Sequence, residues 1–200
     1  MTMVVPRRRS VAFNLANLLT YGRVVAVPVV AGFLFWPQDP AARFAALAVF
    51  IAAAITDYLD GYVARTYSQS SALGRMLDPI ADKLLVAACL LMLAADGSIP
   101  GWSLWAAIVI LCREILVSGL REYLAELKVG VPVSRVAKWK TAAQLVSLGF
   151  LIAGPAGELI LPGTMMIGIT LLWISAALTL YTGWDYLRAG LRHMIEDDSR

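Results

Sequence analysis

Apolar residues run along this chain in six long stretches, separated by short polar breaks. The pattern predicts helices over about 17–36, 41–65, 75–96, 101–124, 139–157 and 159–187. Each stretch approaches or exceeds the ~20 residues a helix needs to cross a bilayer core. The breaks carry turn chemistry: WPQDP at 36–40, ADGSIPG at 95–101, KVGVPVS at 128–134 and AGPAGELILPG at 153–163. No internal repeat or low-complexity linker divides the chain. The fold class predicted is all-α: a polytopic membrane protein in which residues 1–200 form one domain and 17–200 a six-helix bundle.

Composition agrees, with 60% hydrophobic and 16% charged residues against about 45–50% and 25% in soluble domains. Residues 1–16 read as an amphipathic interfacial segment, with Val11, Phe13 and Leu15 dipping into lipid and Arg7, Arg8 and Arg9 meeting headgroups. A disordered basic tail is the plainer alternative. A cleavable signal is disfavoured, because Asn14 and Asn17 break the apolar stretch. Basic residues are asymmetric. Arg7–Arg9, Arg65, Arg75, Lys128, Arg135, Lys138, Lys140, Arg188 and Arg192 gather at one side, and only Arg43 falls near a loop on the other. The positive-inside rule then places both termini in the cytoplasm. Trp36, Trp102, Trp139 and Trp184 sit near span ends, as interfacial aromatics do. The net charge of +3 is thereby a topology signal, and nucleic acid is not implied. Cys89, Cys112 and the single His193 form no metal or redox framework.

Four aspartates interrupt the apolar pattern. Asp57 and Asp60 lie at i, i+3 near the end of the second span; Asp78 and Asp82 lie at i, i+4 at the start of the third. Each costs about 2.5–3.5 kcal/mol at the centre of a lipid-facing helix, so they are expected to face inward, at the cytoplasmic boundary. A short connection makes the two helices antiparallel neighbours and brings the four carboxylates together. Arg65 and Lys83 are a thin counterweight to that charge. Hard oxygen ligands in such a group suit magnesium or manganese, with phosphate oxygens completing the shell. Gly61 and Ala64 extend the same face almost without side chains, leaving a slot for a flat ligand unless they serve helix packing. Arg65 could meet a phosphate there, and Gly74 permits close backbone approach.

The pattern Asp57-x2-Asp60-Gly61-x2-Ala64-Arg65-x8-Gly74-x3-Asp78-x3-Asp82 resembles the signature of the CDP-alcohol phosphatidyltransferase family at every fixed position. The resemblance implies six transmembrane helices, a cytoplasm-facing site and a homodimer. It further implies two divalent ions, Mg2+ or Mn2+, one on Asp57, Asp60 and Asp78 and the other on Asp57, Asp78 and Asp82. Asp82 would be the general base. Asp57, Asp60, Gly61, Ala64, Arg65 and Gly74 would line the cytidine diphosphate pocket, and an alcohol would displace CMP from a CDP-linked lipid.

A second polar group bears on the alcohol. Arg113 and Arg121 lie eight residues apart, nearly in line on one helix, and Lys138 and Lys140 open the fifth span. Such charge suits a phosphorylated acceptor, although ion pairing and the positive-inside bias explain part of it. Glu114 and Glu122 are available as partners. NLANLLTYGRVVAVP, REILVSGLREY and AKWKTAAQ are similar to segments of the family branch that joins CDP-diacylglycerol to sn-glycerol 3-phosphate. Ala16 and Ala137 depart from that branch, where a proline and often a glycine stand. Inositol phosphate, serine or phosphatidylglycerol are the rival acceptors. A cation-coupled transporter is the rival from another class.

Overall fold

The computed structural model describes residues 15–67, 72–126 and 135–198, with side chains at 17–57, 74, 76–125, 136–184 and 187–188. These residues form six α-helices: α1 Leu15–Leu34, α2 Pro40–Tyr67, α3 Ala72–Ala95, α4 Ser103–Glu126, α5 Arg135–Glu158 and α6 Thr164–Asp198. Leu15 and Ala16 open α1, and the rest of the predicted interfacial segment lies outside the described residues. Four helices contain windows long and apolar enough to cross a membrane: Asn17–Leu34, Pro40–Asp57, Ser103–Ala125 and Thr164–Trp184. The protein is thus an all-α polytopic membrane protein.

Local chemistry sets the helix ends. Asp39 caps α2, accepting the Ala41 N–H at 2.9 Å, and Pro40 takes the first helical position, where no donor is needed. Gly97, at φ 79, lets the chain leave α3, and the Ser98 N–H donates back to Asp96 Oδ1 at 2.8 Å.

The sixth span, expected to end at 187, continues to Asp198. The fifth, expected to end at 157, ends at Glu158, and it runs through the turn signals at 153–158 across a kink at Gly154 (φ 49, ψ −134). Pro155 has no N–H for the Leu151 carbonyl, and the Arg43 guanidinium supplies the missing donor. Its Nη1 reaches Leu151 O at 3.2 Å and Ile152 O at 3.1 Å. The same side chain donates to Pro37 O, Asp96 Oδ2 and Ser98 Oγ. A residue expected merely near an outer loop is therefore a buried clamp joining α2, α5 and two turns.

α1 packs on α2 and α3, α5 on α6 and α2, and α4 on α6. The α5–α6 hairpin is especially close. A Cβ on Gly168 would come within 2.8 Å of Leu151 Cδ2, and Ser147 Oγ donates to the Gly168 carbonyl at 2.8 Å. Glu158 closes the hairpin by accepting the Gly163 and Met165 N–H groups at 2.7 and 2.8 Å, which caps α6.

Burial divides the bundle into two halves. Toward the Arg43 end the interior is apolar, built on Val30, Leu34, Leu93, Ile110, Leu151 and Ile152. Toward the other end the buried residues include the polar Asn17, Thr20, Arg23, Lys140 and Gln144. There α3 meets α4 and α5 more sparsely, and a cavity opens between them.

Candidate active site

The acidic group gathers around an arginine. Arg23, in the middle of α1 and 1% exposed, places Nη1 3.0 Å from Asp57 Oδ1, 2.9 Å from Asp78 Oδ1 and 2.5 Å from Asp82 Oδ1. α2 and α3 were expected to pack as neighbours, but among the described residues they scarcely touch; α1 packs against both, and its arginine draws the carboxylates of the two helices together. Asp57, Asp78 and Asp82 thus converge on one point. Asp60, Gly61, Ala64 and Arg65 follow within α2, and their side chains lie outside the described residues. Gly74 is buried in the first turn of α3.

This geometry revises the expected charge balance. Lys83 donates to the Pro79 carbonyl at 2.8 Å; among the described residues Arg23 is the cation that meets the three carboxylates. Among those residues, one guanidinium against three carboxylates leaves about two negative charges if all are ionised. Carboxylate oxygens of this kind suit a divalent ion in charge and ligand type. Their arrangement does not yet form a metal site, since Arg23 fills the point on which they converge and no group of three such ligands among the described residues is placed to hold an ion.

The cavity beside this group measures ≈ 760 Å³, within the usual range for small-molecule sites. Arg23, Asp57 and Asp82 stand on its wall with Arg113, Arg121, Lys138 and Lys140. The four cations differ in freedom. Arg113 donates to Thr182 Oγ1 at 2.9 Å and lies over Gly183, where a Cβ would stand 3.1 Å from Arg113 Cγ. Lys140, 5% exposed, is ion-paired with Glu114. Arg121 and Lys138 are exposed. Part of the cationic wall is therefore fixed in place, and part is open to a ligand.

Three side chains of this half escaped the sequence reading of the site. Arg23 carried a usable signal, since an arginine amid an apolar span demands an inward partner. Glu114 was considered as a partner for the arginines; it pairs with Arg113 Nη1 at 3.7 Å and also holds Lys140, which was not foreseen. Gln144, 4% exposed on α5, lines the cavity and carried no signal, because a glutamine one turn past Lys140 fits a helix of any function.

Fold and site together define a membrane-embedded helical bundle with an acidic cluster facing a cationic wall across one cavity. The model of the CDP-alcohol phosphatidyltransferase family matches residues 13–181, and the chain belongs to that family. It is 44% identical over 176 residues to a CDP-diacylglycerol–glycerol-3-phosphate 3-phosphatidyltransferase of Rickettsia bellii, covering 88% of this chain and 94% of the relative. Proteins of the same name from Cereibacter sphaeroides and Pseudomonas fluorescens are 35% and 40% identical, each over 92% of this chain and over 99% and 93% of the relative. Family membership removes the transporter alternative.

Proposed function

We propose that this protein transfers the phosphatidyl group of CDP-diacylglycerol to sn-glycerol 3-phosphate, giving phosphatidylglycerophosphate and CMP. The observation that carries the reading is the single cavity shared by Asp57, Asp82 and Arg23 with Arg113, Arg121, Lys138 and Lys140. One wall suits the donor pyrophosphate and its counterions; the other suits a phosphorylated acceptor. A serine acceptor would need far less positive charge. The relatives' shared name supports the same choice.

Asp57, Asp60, Asp78 and Asp82 would hold two magnesium or manganese ions, which would neutralise the pyrophosphate and so lower the barrier to displacement. Asp82 takes the proton from the acceptor hydroxyl as its oxygen bonds to the phosphatidyl phosphorus. The bond from that phosphorus to the bridging oxygen breaks, and CMP leaves with the electron pair. Direct displacement needs no covalent enzyme intermediate. Gly61, Ala64, Arg65 and Gly74 line the nucleotide pocket, while Arg121 and Lys138 receive the acceptor phosphate beside Arg113 and Lys140. Arg113 and Lys140 stay braced by Thr182 and Glu114, so their charge is positioned before substrate arrives.

All six helices cross the inner membrane in this reading. The excess of Lys and Arg puts both termini and the site on the cytoplasmic side, with residues 1–16 along the interface. A homodimer is the proposed working form. The test is CMP release by purified protein in detergent with CDP-diacylglycerol and magnesium. Glycerol 3-phosphate is compared with inositol phosphate, serine and phosphatidylglycerol, with EDTA as a blank. Glycerol 3-phosphate alone should support turnover; turnover with another acceptor instead would sink the acceptor assignment.

A further inference from the structure

Gln144 is a buried polar side chain that the reaction as described does not use. It is 4% exposed and belongs to the cavity wall, yet its Oε1 has no hydrogen-bond partner among the described residues. A buried amide oxygen without a partner costs free energy unless a ligand completes it. A half-turn about the last side-chain torsion exchanges its oxygen and nitrogen, so the amide can offer either end to the cavity.

Its position says what that ligand group is. Gln144 is four residues beyond Lys140 on the same face of α5, about 6 Å further along the helix axis. A carbon chain whose phosphate rests on the cations would run along this wall toward Gln144. Those cations offer donors only. Asp57 and Asp82 are committed to the acidic cluster, and Glu114 to Lys140. A hydroxyl proton on the acceptor's carbon chain therefore needs a neutral acceptor on this wall, one that does not repel the phosphate. The amide of Gln144 provides it.

Building on the proposed reaction, we propose that Gln144 selects the acceptor by hydrogen-bonding its free middle hydroxyl, the one that does not attack phosphorus. The residue is a specificity determinant, distinct from the base and the phosphate-binding cations. A site that hydrogen-bonds a substrate hydroxyl rejects the analogue lacking it far more strongly than an apolar pocket can.

The experiment measures kcat/KM for CMP release with glycerol 3-phosphate and with 3-hydroxypropyl phosphate, which keeps the reacting hydroxyl and the phosphate but lacks the middle hydroxyl. Wild type should prefer glycerol 3-phosphate by roughly 100-fold or more. Gln144→Met, close in size and without a strong acceptor, should cut that preference to below about 10-fold, with nearly all the loss on glycerol 3-phosphate. Gln144→Glu keeps an acceptor and should keep the preference, even if both rates fall. The substrate-free Gln144→Met protein should melt at or above the wild-type temperature, because no unpaired amide remains. Equal losses on both acceptors, or a lowered melting temperature, would make Gln144 structural and overturn the proposal. Wild type that fails to use glycerol 3-phosphate at all overturns the proposed reaction and this selection together. Active wild type with an unchanged preference in Gln144→Met overturns the selection alone.

Discussion

Arg43 Nη1 donates to the Leu151 carbonyl at 3.2 Å, across the one helical turn where Pro155 cannot. The kinked end of α5 is thereby completed by a side chain from α2, whose charge is balanced by Asp96 at 2.5 Å. Both partners of that ion pair are almost fully buried, at 2% and 4% side-chain exposure.

Removing Arg43 strands three backbone carbonyls and a buried carboxylate. Arg43→Met should destabilise the protein by about 3–5 kcal/mol, the usual cost of breaking a buried pair from one side. Gly154→Ala should also be costly, because its Cβ would collide with the Arg43 guanidinium and its φ is positive. Thermal melts in detergent check both; melts matching wild type would refute the clamp.

Arg23 is the counterion of three carboxylates, and its loss should separate stability from ion affinity. Arg23→Met should melt lower in EDTA, by about 2 kcal/mol. That lies below the fully buried range because the carboxylates are 41–45% exposed. Magnesium should restore stability, and a lower free magnesium concentration should suffice to do so than in wild type, since one competing cation is gone. Melting curves across a magnesium titration read this directly.

Asp82→Asn keeps shape and removes the base. CMP release should fall by about 10²–10⁴-fold, with the protein still folded by melting. EDTA should abolish turnover in wild type, and added magnesium should return it. Asp82→Asn retaining more than a tenth of the rate would assign the proton transfer elsewhere.

Two lysines two residues apart should behave differently. Lys138 is exposed on the cavity wall, so Lys138→Ala should raise KM for glycerol 3-phosphate and spare the melting temperature. Lys140 is buried and paired with Glu114, so Lys140→Met should lower the melting temperature as well. Lys140→Met combined with Glu114→Gln should recover part of that stability, because the uncompensated carboxylate is removed.

Glu158 ends α5 at the turn into α6, where the Met165 and Gly163 N–H groups hold its carboxyl below the ordinary glutamate range. A depressed folded-state value means its contribution is fully present above the unfolded pKa and is lost as pH falls through the lowered one. The difference in melting temperature between wild type and Glu158→Ala should be constant above about pH 5 and shrink on further acidification. A difference that grows toward low pH would contradict the cap.

The apolar periodicity located all six helices to within a few residues at most ends, because a helix must present about 20 apolar positions to cross lipid. It missed the end of α6, which runs to Asp198 where the apolar pattern stops near 187, and it did not show how α5 would pass the kink at Gly154 and Pro155. Whether a helix survives such a pair depends on a donor from elsewhere, and Arg43 lies 108 positions from Leu151 in the chain. The aspartates were legible for a related reason: charge in an apolar run is expensive, so its spacing on one helix face carries information. Arg23 was open to the same argument and went unused.

The sequence by itself determined the membrane class, the helical periods, the carboxylate spacing and the basic wall. These follow from local residue chemistry and from the cost of placing charge in lipid. The tertiary structure decided which cation meets which anion: Arg23 with the aspartates, Lys140 with Glu114, Arg43 with Asp96 and the freed carbonyls of α5. A buried charge requires a partner, but that requirement does not say which helix will bring one. Packing of α1 against α2 and α3, and of α2 against α5, made those choices.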